Sequence, residues 1–106
     1  MAKEVNKEEL ELLLKEDKLV VLDLFAHWCG PCKMIAPVME RLSEKYSDRV
    51  SIVKVNVDEN KEVADKYSIR NIPTVLYIKN GEIVDKAIGA AQESLYVEKI
   101  EAALAK

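Results

Sequence analysis

Between Leu19 and Ala26 the chain reads LVVLDLFA, eight residues interrupted once, at Asp23. A β-branched and leucine-rich run of this length predicts a strand covered on both faces, the kind found at the centre of an α/β sheet. Such a strand restricts the fold sharply, because each face needs its own layer of helices. The flanking sequence supplies them. Asn6 followed by Glu9 forms a helix N-cap with a capping box, and the apolar spacing that follows carries a helix from about Lys7 to Glu16. Met34 to Tyr46, with Met34, Ile35, Val38, Met39 and Leu42 at helical spacing, predicts an amphipathic helix kinked at Pro37.

Further along, VSIVKVNVD from Val50 reads as a second covered strand and NKEVADKY from Asn60 as a short helix. TVLYIKNGEIVDKAI then places two strands around Asn80-Gly81, a strong hairpin signal. QESLYVEKIEAALA closes the chain as an amphipathic helix with Leu95, Ile100 and Leu104 on one side. The expected order is β-α-β-α-β-α, then a hairpin and a helix. It predicts an α/β fold with a central mixed sheet flanked by helices on both faces. At 106 residues and 49% hydrophobic, the chain suits a single domain over 1–106, with no second core.

Charge and hydropathy exclude several partners. Sixteen basic residues against 19 acidic ones give a net charge of -3. They form no clustered basic face, so nucleic acid is not an expected partner. No apolar run is long enough to span a bilayer, and MAKEVNKEELELLLKED lacks the apolar core of a signal peptide. The expectation is a cytoplasmic protein with no membrane partner.

The chemistry is concentrated in AHWCGPCKM, Ala26 to Met34, which holds both cysteines, the only tryptophan and the only histidine. This segment sits where a covered strand ends and a long helix begins, the place where α/β sheets usually put ligands. Unpaired N–H groups and the positive dipole end at a helix amino terminus stabilise an anion, and a thiolate at Cys29 is such an anion. Cys32 follows one helical turn later, on the same face and within disulfide range. Pro31 in the first turn gives up an N–H that has no partner there and stiffens the loop between the sulfurs. A tetrahedral zinc site would need four protein ligands, whereas Cys29, Cys32 and His27 supply at most three. A passive disulfide closing so short a loop would add little stability and would not need a helix terminus. The spacing suits a disulfide that opens and closes.

WCGPCK, Trp28 to Lys33, resembles the active-site signature of the thioredoxin family. IRNIPTVLYIKNGE and the order of elements extend the likeness over nearly the whole chain. The resemblance implies a thioredoxin fold and a protein-disulfide reductase. It makes Cys29 the attacking nucleophile and Cys32 the resolving thiol, with Asp23 as a buried carboxylate and Lys54 as its neighbour. Pro73 matches a cis-proline facing the disulfide. Trp28, Gly30, Pro31, Ile72, Gly89 and Ala90 complete the expected substrate site. The family also implies that the oxidised protein is recycled by an NADPH-dependent flavin thioredoxin reductase. It implies no metal and no cofactor beyond the redox-active disulfide, and disulfide-bearing proteins as substrates of a monomer. Phe25 stands where a second tryptophan is common, and Ser68 and Asn71 where glycine is common. His27 stands at a variable flank.

Several of these positions also have a reading of their own. Alternation places Val21, Asp23 and Phe25 on one sheet face and Val20, Leu22 and Leu24 on the other. A carboxylate among them is either a hydrogen-bonded structural aspartate or a group of raised pKa, and its position favours a proton acceptor for Cys32. Lys54 is either a snorkelling lysine or an electrostatic partner of Asp23. Ile72-Pro73 on its own reads as a trans proline at a strand entrance, and only the resemblance reverses that. Trp28 reads as a half-exposed apolar platform for substrate. His27 is either a solvated loop residue or a cation that favours the Cys29 thiolate. Two further functions compete with the reductase: a binding module that grips partners without redox turnover, and an oxidant or isomerase using the same sulfurs.

Overall fold

The computed structural model describes residues 2–106. In chain order the elements are β1 (Lys3–Glu4), α1 (Lys7–Leu13), β2 (Leu19–Phe25), α2 (Gly30–Lys45), β3 (Val50–Asn56), α3 (Lys61–Lys66), β4 (Thr74–Lys79), β5 (Glu82–Ile88) and α4 (Glu93–Leu104). The expected order is present, its first strand being the two-residue β1.

The five strands form one sheet in the order β1-β3-β2-β4-β5. β1, β3 and β2 run parallel, and β4 is antiparallel to both β2 and β5. β2 is central and every one of its residues is buried. Its alternation divides the core as the sequence predicts. Val21 packs with Ile35, Met39 and Leu42 of α2, with Tyr46 at its C-cap, and with Tyr96 and Ile100 of α4 on one face. Val20, Leu22 and Leu24 pack with Leu10 of α1 and Val63 of α3 on the other. Asn80 at φ 52° and Gly81 at φ 79° turn the hairpin; both are left-handed, a region open to glycine and tolerated by asparagine.

Four details differ from the expectation. α1 has its capping box, with the Glu9 N–H donating to Asn6 Oδ1 at 2.9 Å and the Asn6 N–H to Glu9 Oε1 at 3.0 Å. It ends at Leu13 rather than Glu16, because Lys15 and Glu16 donate three residues back, to Leu12 and Leu13. Such tight bonds close a helix. α2 begins at Gly30, ahead of the apolar periodicity, its first turn being built from the cysteine loop. Met34 belongs to the periodic set yet is 72% exposed, and Cys32 and Ile35 take the inward positions. In α4 the buried stripe is Tyr96, Ile100 and Ala103, with Leu95 and Leu104 at its margin. Spacings of four and three residues place these on one helix face.

Candidate active site

β2 ends at Phe25 and α2 starts at Gly30, so only four residues connect the centre of the sheet to the helix. Cys29 is the N-cap of α2, with extended backbone (φ -86°, ψ 110°). Its Sγ accepts the Cys32 backbone N–H at 3.2 Å, so sulfur occupies the place that a serine or aspartate oxygen usually takes at a helix start. Pro31 lies in the first turn, where no N–H is required of it. Cys29 and Cys32 are joined as a disulfide across a Cα separation of 5.2 Å. Both are 4% exposed and pack with Phe25 and Ala26, against Val57 and Ile72.

The wall facing the sulfurs comes from the start of β4. The Ile72–Pro73 peptide bond is cis, and Cys29 Sγ lies 3.8 Å from the Ile72 carbonyl oxygen. The Gly89 N–H donates to the Pro73 carbonyl at 2.8 Å, which ties the end of β5 to this wall. Gly89 has φ 85°, a conformation in which a side chain is strained. The structure thus brings Cys29, Cys32, Ile72, Pro73 and Gly89 together. Ala90 is exposed beside Gly89, and Gly30 and Pro31 are exposed over the sulfurs.

Trp28 is more open than half-exposed, at 71%, and its indole N–H donates to Asp58 Oδ2 at 2.8 Å. Sequence reasoning missed Asp58. Its signal was topological: Val57 and Asp58 follow the carboxyl end of β3, the parallel neighbour of β2. Tyr96 was missed too. Its hydroxyl accepts the Ala91 N–H at 3.1 Å and donates to the Gly89 carbonyl at 3.4 Å, bracing the loop that carries Gly89 and Ala90. A tyrosine inside a helical pattern gives no sign of that role.

Asp23 is 3% exposed, and its Oδ1 has no hydrogen-bond partner among the described residues. No protein group within hydrogen-bond distance stabilises a charge on this oxygen. Burial pushes its carboxyl up from the ordinary 3.8 to about 7, and the charge of Lys54 pulls in the opposite direction. Lys54 is the register partner of Asp23 in the parallel ladder, so both side chains leave the sheet on one face. Its Nζ sits 5.2 Å from the centre of the Phe25 ring, half-buried. Packed stem and electrostatic partner therefore coexist in one residue. Lys54, Cys32, Phe25, Lys33 and His27 line a common hollow of about 130 Å³. The His27 ring meets the Phe25 ring edge-on at 5.3 Å, and His27 reaches this hollow on the side of Cys32.

A reversible disulfide capping a helix, walled by a proline turn and backed by a buried carboxylate, defines a thiol–disulfide exchange site on an α/β sheet. No group of three or more metal-ligating side chains occurs among the described residues. The chain belongs to the thioredoxin family, whose model matches residues 1–102. It is 46% identical over 89 residues to a thioredoxin of Chlorobaculum thiosulfatiphilum, a match covering 84% of this chain and 82% of that one. It is 47% identical over 92 residues to thioredoxin-T of Drosophila melanogaster, covering 85% of this chain and 59% of that protein. A chloroplastic M-type thioredoxin of Pisum sativum is 45% identical over 91 residues, covering 86% of this chain and 53% of that one. The chain thus spans little more than half the length of two of these relatives.

Proposed function

We propose that this chain is a protein-disulfide reductase working by two successive thiol exchanges. The observation that carries the reading is the Cys29 sulfur at the N-cap of α2, accepting the Cys32 N–H. In the reduced protein the same N–H and the helix dipole favour the Cys29 thiolate. That thiolate attacks one sulfur of a substrate disulfide, forming a mixed disulfide and expelling the other substrate sulfur as a thiolate. Cys32 then gives its proton to Asp23 and attacks Cys29. The second substrate thiolate leaves, and the Cys29–Cys32 disulfide carries the two electrons' worth of oxidation.

Asp23 suits this step because its raised pKa, about 7, lets it take and release a proton near neutral pH. Lys54 tunes that carboxyl. Trp28, Gly30, Pro31, Ile72, Pro73, Gly89 and Ala90 form the surface on which substrate backbone and apolar side chains rest. The two sulfurs carry the electrons, so no cofactor is required in this domain. Regeneration needs a separate reductase, which we take to be an NADPH-dependent flavoenzyme. We place the protein in the cytoplasm and read it as a monomer; both cysteines serve a redox pair, the use that paired cysteines have in a reducing compartment.

The test is a Cys32→Ser variant incubated with disulfide-bearing proteins. It should accumulate mixed disulfides through Cys29, and Cys29→Ser should accumulate none. Trapping by the Cys29→Ser variant would reverse the assignment.

A further inference from the structure

Beyond the cis-proline wall lies a hollow of about 480 Å³ that the exchange chemistry does not use. It opens between the loop after α3 and the outer half of the hairpin. Ile69, Leu76, Ile83 and Ile88 give it an apolar surface, and Arg70 and Lys86 stand on it as cations. Its origin is the end of a helical layer: α1 and α3 cover β2 and β3 on this face, but among the described residues no helix covers this face of the edge strand β5. Ile83 is consequently 46% exposed and Ile88 60% exposed. Strand alternation alone would place Ile83 and Ile88 on opposite faces. The register shift at Tyr77/Ile78 sets Ile83 opposite Ile78 and brings both isoleucines to one side, with Lys86 between them opposite Leu76.

Two observations say what covers this surface. The first is continuity. Asn71, Thr74 and Ile88 line the hollow, Ile72 and Pro73 run between the first two, and Gly89 follows the third. The hollow therefore borders the segment that forms the proline wall beside Cys29. The second is charge. Asp85, the acidic residue of the hollow, is engaged by Lys99 at 3.1 and 3.2 Å. Arg70 and Lys86 have no acidic partner among the described residues.

Building on the disulfide-exchange reading, we propose that this hollow is a second substrate subsite. It takes an extended segment that flanks the target cysteine and carries apolar residues together with an acidic side chain. Ile83 and Ile88 stand opposite Ile78 and Thr74, four residues apart on β4, a span of about 13 Å at the rise of an extended chain. The segment engaged thus begins beside the cysteine and runs about four residues from it. Its apolar groups cover Ile83 and Ile88, and its carboxylate meets Arg70 and Lys86. The class of substrate selected is an exposed disulfide in an unfolded or loop segment with an acidic-apolar flank.

The experiment uses the whole chain and three kinds of disulfide. Neutral bis(2-hydroxyethyl) disulfide reports the sulfur chemistry alone. Disulfide-bonded peptides with the acidic-apolar flank on the amino or the carboxyl side report the subsite, against matched peptides with a Ser/Lys flank. The variants are Arg70→Glu with Lys86→Glu, and Ile83→Ser, all at exposed positions. We expect one flank orientation to raise kcat/KM through a lower KM. The double charge reversal should cost that peptide roughly five- to tenfold in kcat/KM, an effect that shrinks in 1 M salt. Ile83→Ser should raise KM for the same peptide only. Turnover of the neutral disulfide should be unchanged in every variant. Equal kcat/KM for all flanks with normal turnover of the neutral disulfide overturns the subsite alone, whereas failure to turn over any disulfide overturns the reductase reading. Sedimentation showing a dimer that the charge reversal dissociates would assign the hollow to a second copy and overturn the proposal.

Discussion

Replacing Asp23 by Asn should stabilise the oxidised protein at and above neutral pH while slowing its chemistry. The side chain is buried in the α2/α4 face of β2, and its folded pKa stands at about 7 against an ordinary 3.8. The sign follows from proton linkage. Below the unfolded pKa both states are protonated and nothing is lost. As pH rises, the unfolded chain ionises first and stability falls, until the penalty is complete above the folded pKa. The gap is about three pH units, and each unit is worth ~1.36 kcal/mol, so the full penalty is on the order of 4 kcal/mol. Asparagine keeps the shape and cannot ionise, which removes this pH-dependent part. The stability difference between Asp23→Asn and the parent should therefore grow by roughly 2–4 kcal/mol from pH 4 to pH 8.5. Urea denaturation of both oxidised proteins across that range measures it. In the same variant the first attack by Cys29 should persist and resolution by Cys32 should slow, as read from the lifetime of a mixed disulfide. A stability difference that does not change with pH, together with resolution at the parental rate, would refute the buried-base reasoning.

Lys54→Met removes the cation that opposes the burial of Asp23, so the pH midpoint of mixed-disulfide resolution should rise by roughly one unit. An unmoved midpoint would reduce Lys54 to its packing on Phe25. Ser68 holds φ 54°, a left-handed conformation that is unfavourable for a residue with a Cβ. Ser68→Gly should accordingly stabilise the fold by ~0.5–1 kcal/mol after the added flexibility of the unfolded chain is counted. Urea titration decides it, and a loss of stability would mean that the serine is not strained.

Much of the site was legible because its signals are local. WCGPCK announces a helix start with a sulfur at its cap, and that depends only on neighbours in the chain. The two-residue period of LVVLDLFA put Asp23 on a buried face without knowledge of what buries it. Asn80-Gly81 marked its hairpin for the same reason: the turn is made by the φ angles of two adjacent residues.

What the sequence by itself determined, then, is the set of elements, the two-faced central strand, the family and the identity of the reacting sulfurs. Only the tertiary structure decided which distant residues share the site. Asp58 reaches the Trp28 indole because β3 lies parallel to β2, and Tyr96 holds Gly89 because α4 packs back across the sheet. It also decided exposure. Met34 has the helical spacing of a core residue and lies in solvent, since Cys32, Ile35, Met39 and Leu42 take the buried stripe of α2. Ile83 and Ile88 share one open face because a register shift puts them there and, among the described residues, no helix covers that face of β5. Periodicity states which residues can face a common side, and only packing against elements remote in the chain settles whether anything covers it.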